Sequence, residues 1–239
     1  MIDKLLHRIN RKLKKLRLQP IRVYCFHQTS KEFDASTMWE CDWMQIDQFK
    51  RNILLMKEHY IFISLPEAYD KLRHDVFRRK KYAVLTADDG WASLKNIIPW
   101  LVEQEIPITL FVNPAYLDGK HFQARDTEKL LTLKDLNDLV VENPRYITIA
   151  SHGHTHIDVN TLTMSEFCAN VDKAENGLKN LHNKINFYAF TYGRCSAEHL
   201  SILKEKNLIP VMADGLKNYS NEGVIHRECL ESKKNEVLC

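Results

Sequence analysis

The stretch that decides the fold reads Tyr82-Ala83-Val84-Leu85-Thr86-Ala87-Asp88-Asp89-Gly90-Trp91. It is an apolar run that stops at two adjacent carboxylates and a glycine, and a helix-compatible segment, residues 92–104, follows it. Both acids are therefore predicted at the C-terminal end of a strand, where the ligand sites of α/β proteins collect. Neighbouring carboxylates repel each other unless a cation or a proton lies between them. The pair predicts a cation site.

Working outward from this stretch, strands alternate with helices along most of the chain. Apolar runs predict strands at residues 21–26, 60–63, 108–112, 145–150, 187–190, 208–212 and 224–228. Helical patterns lie between most of them, while residues 28–45 and 115–131 are predicted to be loops. Such alternation is typical of parallel strands joined by right-handed crossovers, in either an open sheet or a barrel.

The composition is that of an ordinary folded protein. The chain has 239 residues, 44% of them hydrophobic and 27% charged, which favours one compact domain. Its six cysteines form no Cys-x-x-Cys pair, and no apolar signal segment occurs near the N-terminus. We therefore expect reduced thiols and a cytoplasmic protein.

The N-terminal segment differs from the rest in charge. Residues 1–22 hold eight Lys or Arg against one acid, although the whole chain carries only +3. Apolar residues recur at helical spacing and predict an amphipathic helix over residues 1–20, followed by a catalytic domain over 21–239. Residues 1–18 could lie on the inner face of an anionic membrane, or pack on this domain or a partner. Nucleic acid is not predicted as a partner, because the apolar stripe lacks interleaved aromatic residues.

A histidine cluster follows the strand predicted at 145–150, in the run Ser151-His152-Gly153-His154-Thr155-His156. A helical turn would bring His152 and His156 together, whereas an extended segment would align all three imidazoles. One carboxylate with two neutral imidazoles suits Zn²⁺ and leaves positions for water and substrate. The cluster is thus a candidate partner for the acid pair.

Two of these motifs resemble a known family. The run Thr86-Ala87-Asp88-Asp89-Gly90 resembles the Thr-Phe-Asp-Asp-Gly motif of the polysaccharide deacetylase, or NodB-homology, family of carbohydrate esterases (family 4). Residues 151–156 resemble its His-x-x-x-His motif. In addition, residues 23–27 are similar to a family strand that ends in Tyr-His, and residues 188–193 to a variant of the third motif. The resemblance covers about residues 21–228.

This resemblance implies a distorted (β/α) barrel of about seven parallel strands, and a metal-dependent hydrolase. Its substrate would be an N-acetyl or related acyl group on an amino sugar, polysaccharide or lipid-linked glycan. Asp88 would be the general base, and a divalent metal, by preference Zn²⁺, would be bound by Asp89, His152 and His156. Substrate contacts are expected from Trp91, Tyr192 and Gly193.

The general acid is left open by the resemblance. His226, with Asp214 as its partner, and His27 are both candidates, because the late motifs of the family have no clean match. The run Ile225-His226-Arg227 aligns equally with a Pro-Arg-Ile variant that lacks the histidine. Moreover, Ala189 stands where many members carry an Arg that orients the catalytic Asp.

Two other functions are compatible with the motifs. A catalytically silent barrel that retains the metal and binds glycan would explain the missing Arg. Phosphoryl transfer at an acidic Mg²⁺ site would explain the acid pair but not the histidines, since Mg²⁺ prefers oxygen ligands.

Overall fold

The described part of the chain forms a parallel barrel with surrounding helices. A computed structural model describes residues 19–32, 43–75, 78–117, 130–220 and 222–231. The amphipathic helix predicted for residues 1–20 lies, up to residue 18, outside the described residues. Among the described helices, none has the length and apolar character needed to cross a membrane.

Within these ranges the strands are β1 (Ile21–Phe26), β2 (Gln28–Ser30), β3 (Trp43–Gln45), β4 (Ile61–Phe62), β5 (Tyr82–Ala87), β6 (Ile108–Val112), β7 (Ile147–Ser151), β8 (Lys184–Ala189), β9 (Ile209–Met212), β10 (Ile225–His226) and β11 (Glu228–Cys229). The α-helices are α1 (Ile46–His59), α2 (Leu65–His74), α3 (Ile98–Glu103), α4 (Leu133–Glu142), α5 (Met164–Leu178) and α6 (Ala197–Glu205). The main sheet has the order β10-β9-β8-β7-β6-β5-β1-β11, with β4 also paired to β5.

One short segment closes this sheet into a barrel. Only Arg227 separates β10, which pairs with β9, from β11, which pairs with β1 in parallel register. The Arg227 N–H donates to the carbonyl oxygen of Met212 at 2.7 Å, and the Leu230 N–H donates to that of Cys25 at 2.8 Å. Residues 225–229 thus act as one strand, and the barrel has about seven strands, as the family resemblance implied.

The core lies on both faces of the barrel wall. Side chains inside the barrel form one apolar cluster, in which Val23, Val84 and Phe111 are buried. Helix α2 contributes Leu72 and other side chains to this cluster, so it covers the end of the barrel where the strands begin. The outer faces of the strands pack against α1, α3, α4 and α5. The opposite end, where the strands terminate, is left for the functional side chains.

Two local predictions were wrong. The helix expected over residues 92–104 is divided into a 3₁₀ turn (Ala92–Asn96) and α3. Pro99 explains the division, because it has no N–H to donate to the carbonyl four residues earlier and fits only the first turn of a helix. The loop expected over residues 28–45 contains β2 and β3, which pair in parallel register.

Candidate active site

The turn after β5 sends the two adjacent carboxylates in different directions. The Asp88 N–H donates to the Phe26 carbonyl at 3.0 Å, which extends the pairing of β1 with β5. Asp89 and Gly90 then adopt φ values of 68° and 76°. Positive φ is uncommon outside glycine and is concentrated at functional sites. The consequence is that Asp88 faces the barrel interior, whereas Asp89 faces the loop after β7.

Asp89 meets two imidazoles there. Its Oδ1 lies 3.5 Å from His152 Nε2 and 3.4 Å from His156 Nε2. One candidate ligand atom from each of the three residues lies within 4.8 Å of the others. Asp89 Oδ1 is buried and accepts no hydrogen bond from the described residues, while Oδ2 accepts one from Trp91 Nε1 at 3.2 Å. Neighbouring ligand atoms of a tetrahedral zinc site lie about 3.3–3.4 Å apart. The two distances from Asp89 Oδ1 to the imidazole nitrogens are close to this separation, and a buried oxygen of this kind needs a partner. The cluster therefore fits a divalent metal.

The loop after β7 turns, so only two of its three histidines converge on Asp89. His152 Nδ1 lies 2.9 Å from the Ala189 carbonyl oxygen, a contact that fixes its ring and leaves Nε2 toward Asp89. Gly153 has a φ of 80° and bends the chain, and the His154 N–H donates to Asn170 Oδ1 at 2.9 Å. Burial lowers the pKa of His152, which favours the neutral ring that a metal requires.

Asp88 is held by an arginine that the sequence prediction missed. Arg227 is fully buried, and its Nη1 and Nη2 donate to Asp88 Oδ1 and Oδ2 at 2.7 and 2.8 Å. Nη1 also donates to Thr86 Oγ1 at 3.0 Å, and the guanidinium lies 5.0 Å from the Phe111 ring centroid. This fork is the bidentate geometry for which arginine is suited. Ala189 carries no such group, and the closing segment of the barrel supplies it instead.

The electrostatics of Asp88 follow from this contact. Burial alone raises the pKa of a carboxyl group, but the charge and hydrogen bonds of Arg227, with His152 and His27, lower the pKa of Asp88 below its usual value. The Arg227 pKa is raised in turn, chiefly by Asp88 acting against burial. Asp88 is therefore ionised at neutral pH.

The two candidate acids occupy different surroundings. His27 follows β1, and its N–H donates to Glu231 Oε1 at 2.6 Å. Burial lowers the pKa of His27, but Glu231, Asp89 and Asp88 together raise it well above the usual value. His27 also continues the register that pairs Phe26 of β1 with Ala87 of β5, which places it beside Asp88.

His226 instead pairs with Asp214, whose Oδ2 lies 2.7 Å from His226 Nδ1. Its own N–H donates to Asn218 Oδ1 at 2.8 Å. Side chains alternate along a strand, so His226 faces away from the interior into which its neighbour Arg227 points. The order along the chain had suggested this Asp214–His226 pair, but Arg227 is the member of the segment that reaches Asp88.

The residues predicted to contact substrate lie around the histidine loop. Trp91 is only 5% exposed and serves Asp89, as described above. Tyr192 is 59% exposed, and its ring centroid lies 4.9 Å from that of His156. Gly193 has a φ of 64°, and a Cβ there would lie 2.9 Å from the Ala213 carbonyl oxygen. A cavity of about 360 Å³ opens beside this turn and is lined by His156, Ile157, Asp158, Thr161, Tyr192 and Arg194.

The acids, imidazoles and arginine of this parallel barrel lie at the C-terminal ends of its strands, where barrel enzymes carry their active sites. Residues 76–211 match the family described as "Polysaccharide deacetylase", which is more than half of the chain. The chain belongs to the polysaccharide deacetylase family. It is accordingly a carbohydrate deacetylase.

Solved structures support the fold. The chain is similar to IcaB from Ammonifex degensii, with a TM-score of 0.76, 15% identity and coverage of 92% of this chain and 96% of that one. It is also similar to the Streptococcus pyogenes deacetylase PplD in complex with acetate, with a TM-score of 0.72, 20% identity and coverage of 89% and 92%. A third similar structure is a de-N-acetylase from Aggregatibacter actinomycetemcomitans, with a TM-score of 0.70, 14% identity and coverage of 88% of this chain and 94% of that one. Curated protein sequences provide no significant match.

Proposed function

We propose that this enzyme removes N-acetyl or related acyl groups from an amino sugar or glycan, with a divalent metal as cofactor. The observation that carries the proposal is the juxtaposition of two sets of groups. The Asp89–His152–His156 cluster can bind a cation, and the ionised Asp88 held by Arg227 directly precedes Asp89 in the chain. A binding site alone would not require a buried, oriented carboxylate beside the metal ligands.

Asp89, His152 and His156 would hold the metal, and the mixed nitrogen and oxygen donors favour Zn²⁺ over Mg²⁺. When bound, such a metal polarises an acyl carbonyl and lowers the pKa of water. Trp91 supports this arrangement, because its hydrogen bond restrains Asp89 Oδ2 and leaves Oδ1 for the metal.

Asp88 is the proposed general base. It would accept the proton of the attacking water while Arg227 keeps the carboxylate oriented, since both of its oxygens are held by the guanidinium. Because its pKa is low, Asp88 is a weak base, but it is ionised at neutral pH and can accept a proton. The nitrogen leaving the resulting tetrahedral adduct must then receive a proton. His27 is the proposed donor, because the register of β1 with β5 places it beside Asp88, whereas His226 is bound to Asp214.

The carbohydrate would lie against the turn that carries Tyr192. Its ring is exposed and is edge-on to His156, so it offers an apolar face next to the metal ligands. Gly193 would contact the sugar through its backbone alone, because the Ala213 carbonyl oxygen takes the space of a side chain there. Residues 1–18 would add contact with an anionic membrane, which would favour a lipid-linked glycan on the cytoplasmic side. Vesicle co-sedimentation with and without residues 1–18 tests that part.

Release of free amine from N-acetylated chito-oligosaccharide tests the activity. We expect release by the protein loaded with Zn²⁺, loss after chelation, and recovery when Zn²⁺ is restored. Asp88→Asn should abolish release while zinc binding is retained, which separates the base from the ligands. A protein that bound the oligosaccharide but released no amine would instead be the silent glycan-binding barrel.

A further inference from the structure

Glu231 is a buried carboxylate that the proposed reaction has not yet used. Its side chain is about 1% exposed. Oε1 accepts the His27 N–H at 2.6 Å and lies 3.3 Å from His27 Nδ1. One carboxylate oxygen therefore contacts both the backbone and the ring of the same histidine.

The register of the barrel explains why these two residues meet. Cys25 of β1 is paired with Cys229 of β11, and the Leu230 N–H donates to the Cys25 carbonyl. Two residues further along each strand, the same register places Glu231 beside His27. The contact is thus set by barrel closure rather than by the conformation of a surface loop.

The free-energy cost of burying the Glu231 carboxylate must be compensated by its contacts with His27. A buried carboxylate is destabilising unless a positive or hydrogen-bonding group compensates it. Oε2 is buried and has no hydrogen bond within the described part of the chain, so Oε1 and its contacts with His27 carry the compensation. Packing alone would be served better by an apolar side chain at this position.

We propose that Glu231 is a positioning residue, which holds the His27 ring by Nδ1 so that Nε2 carries the proton given to the leaving nitrogen. This inference rests on the proposed deacetylase function. In the balanced step, the carbon–nitrogen bond breaks and its electron pair stays on nitrogen. That nitrogen takes the proton of His27 Nε2, and the acyl group leaves as the carboxylic acid. Asp88 then releases to solvent the proton that it took from water. His27 regains a proton from solvent.

The leaving group distinguishes this role from a structural one. The nitrogen of an N-acetyl sugar must be protonated as it leaves, whereas the phenolate of 4-nitrophenyl acetate leaves without a proton. We therefore expect Glu231→Gln to lower kcat for N-acetylated chito-oligosaccharide about ten-fold or more, with KM unchanged and little effect on the ester. His27→Gln should show the same pattern more strongly, within the roughly 10²–10⁴-fold range of general acid catalysis.

Glu228→Gln is the matched control. Glu228 is also a buried carboxylate of the closing segment, and it pairs with Arg22 of β1 at 2.5 Å. Its loss removes one charge of an ion pair that does not involve His27 and leaves the backbone pairing of β11 with β1, so it should change amide and ester hydrolysis in equal proportion. Zinc content, measured in every variant, shows whether the metal site has been disturbed.

Several results would overturn the inference. Glu231→Gln and His27→Gln could lower both activities equally, as a structural role requires, or leave the amide rate unchanged. Asp214→Asn could reproduce the amide-specific loss, which would make His226 the acid. If Glu231→Gln failed to fold, Glu231→Asp would replace it, because the shorter side chain keeps the charge but loses the contact with His27 Nδ1 and should give the same amide-specific loss. Failure of the proposed function looks different, because the wild-type protein itself would then release no amine.

Discussion

Replacing Arg227 by Met should show how much the buried ion pair of Arg227 with Asp88 contributes to the free energy of unfolding. The substitution keeps most of the apolar volume but leaves Asp88, itself 3% exposed, without the two hydrogen bonds at 2.7 and 2.8 Å. Breaking a buried pair by removing one partner typically costs about 3–5 kcal/mol, because the remaining charge is uncompensated. We expect a loss of that size in the free energy of unfolding at pH 7.

A second substitution identifies the cause. Asp88→Asn leaves the Arg227 charge buried without its counterion and should also be destabilising. Combining Arg227→Met with Asp88→Asn removes both charges, so the double variant should be more stable than Arg227→Met alone. Urea unfolding of the four metal-free proteins, followed by tryptophan fluorescence, gives the coupling free energy. Additivity within about 0.5 kcal/mol would refute this explanation, because it would mean that the two side chains do not interact.

The pH dependence of stability tests independently whether the ion pair with Arg227 stabilises the ionised form of Asp88. The pKa of Asp88 is lower in the folded protein than its unfolded value of about 3.9, so its contribution to stability is fully present above that value. This contribution is lost as the pH falls through the folded pKa. The stability difference between wild type and Arg227→Met should therefore narrow once the pH falls below about 4. A difference that widened on acidification would contradict the assignment.

Three further outcomes follow from the site. Zn²⁺ should raise the Tm of the wild-type protein in thermal unfolding but have a much smaller effect on His156→Ala, because binding stabilises only a folded state with its ligands intact. Gly193→Ala should lower the free energy of unfolding by more than Gly215→Ala. Both glycines have positive φ, which costs about 1–2 kcal/mol for other residues, but only the Cβ at 193 meets the Ala213 carbonyl oxygen, at 2.9 Å. Tyr192→Ala should raise KM for the oligosaccharide and leave zinc affinity, measured by calorimetry, unchanged.

The strand order was only partly accessible from the sequence. The alternation of apolar runs with helical patterns predicted parallel strands, and the family resemblance predicted their number. The closing segment was harder to interpret, since β10 and β11 have two residues each and are separated by an arginine. No periodicity can be seen over so few residues. Their pairing partners, β9 and β1, lie far apart in the sequence, so the closure is a tertiary property.

In the site too, residues that are close together in the sequence could be predicted, whereas a residue far along the chain could not. Asp88 and Asp89 are adjacent, and His152 and His156 are four residues apart, so these motifs could be recognised in the sequence. Arg227 could not be assigned, because it lies 139 positions from Asp88 and an arginine is seldom fully buried. Its position two residues after the inward-facing Ile225 was the one signal, since alternate residues of a strand share a face.

These observations give the closing segment a role beyond completing the barrel. The proposed metal ligands come from the ends of β5 and β7, which are neighbours of β6 in the middle of the sheet order. The groups that control the proposed proton transfers come instead from residues 225–231, where Arg227 holds Asp88 and Glu231 holds His27. The proposed metal binding and proton transfer would therefore depend on different parts of the fold. A substitution that weakens the pairing of β11 with β1 should impair amide hydrolysis before it releases zinc, since the ligands do not belong to the displaced segment.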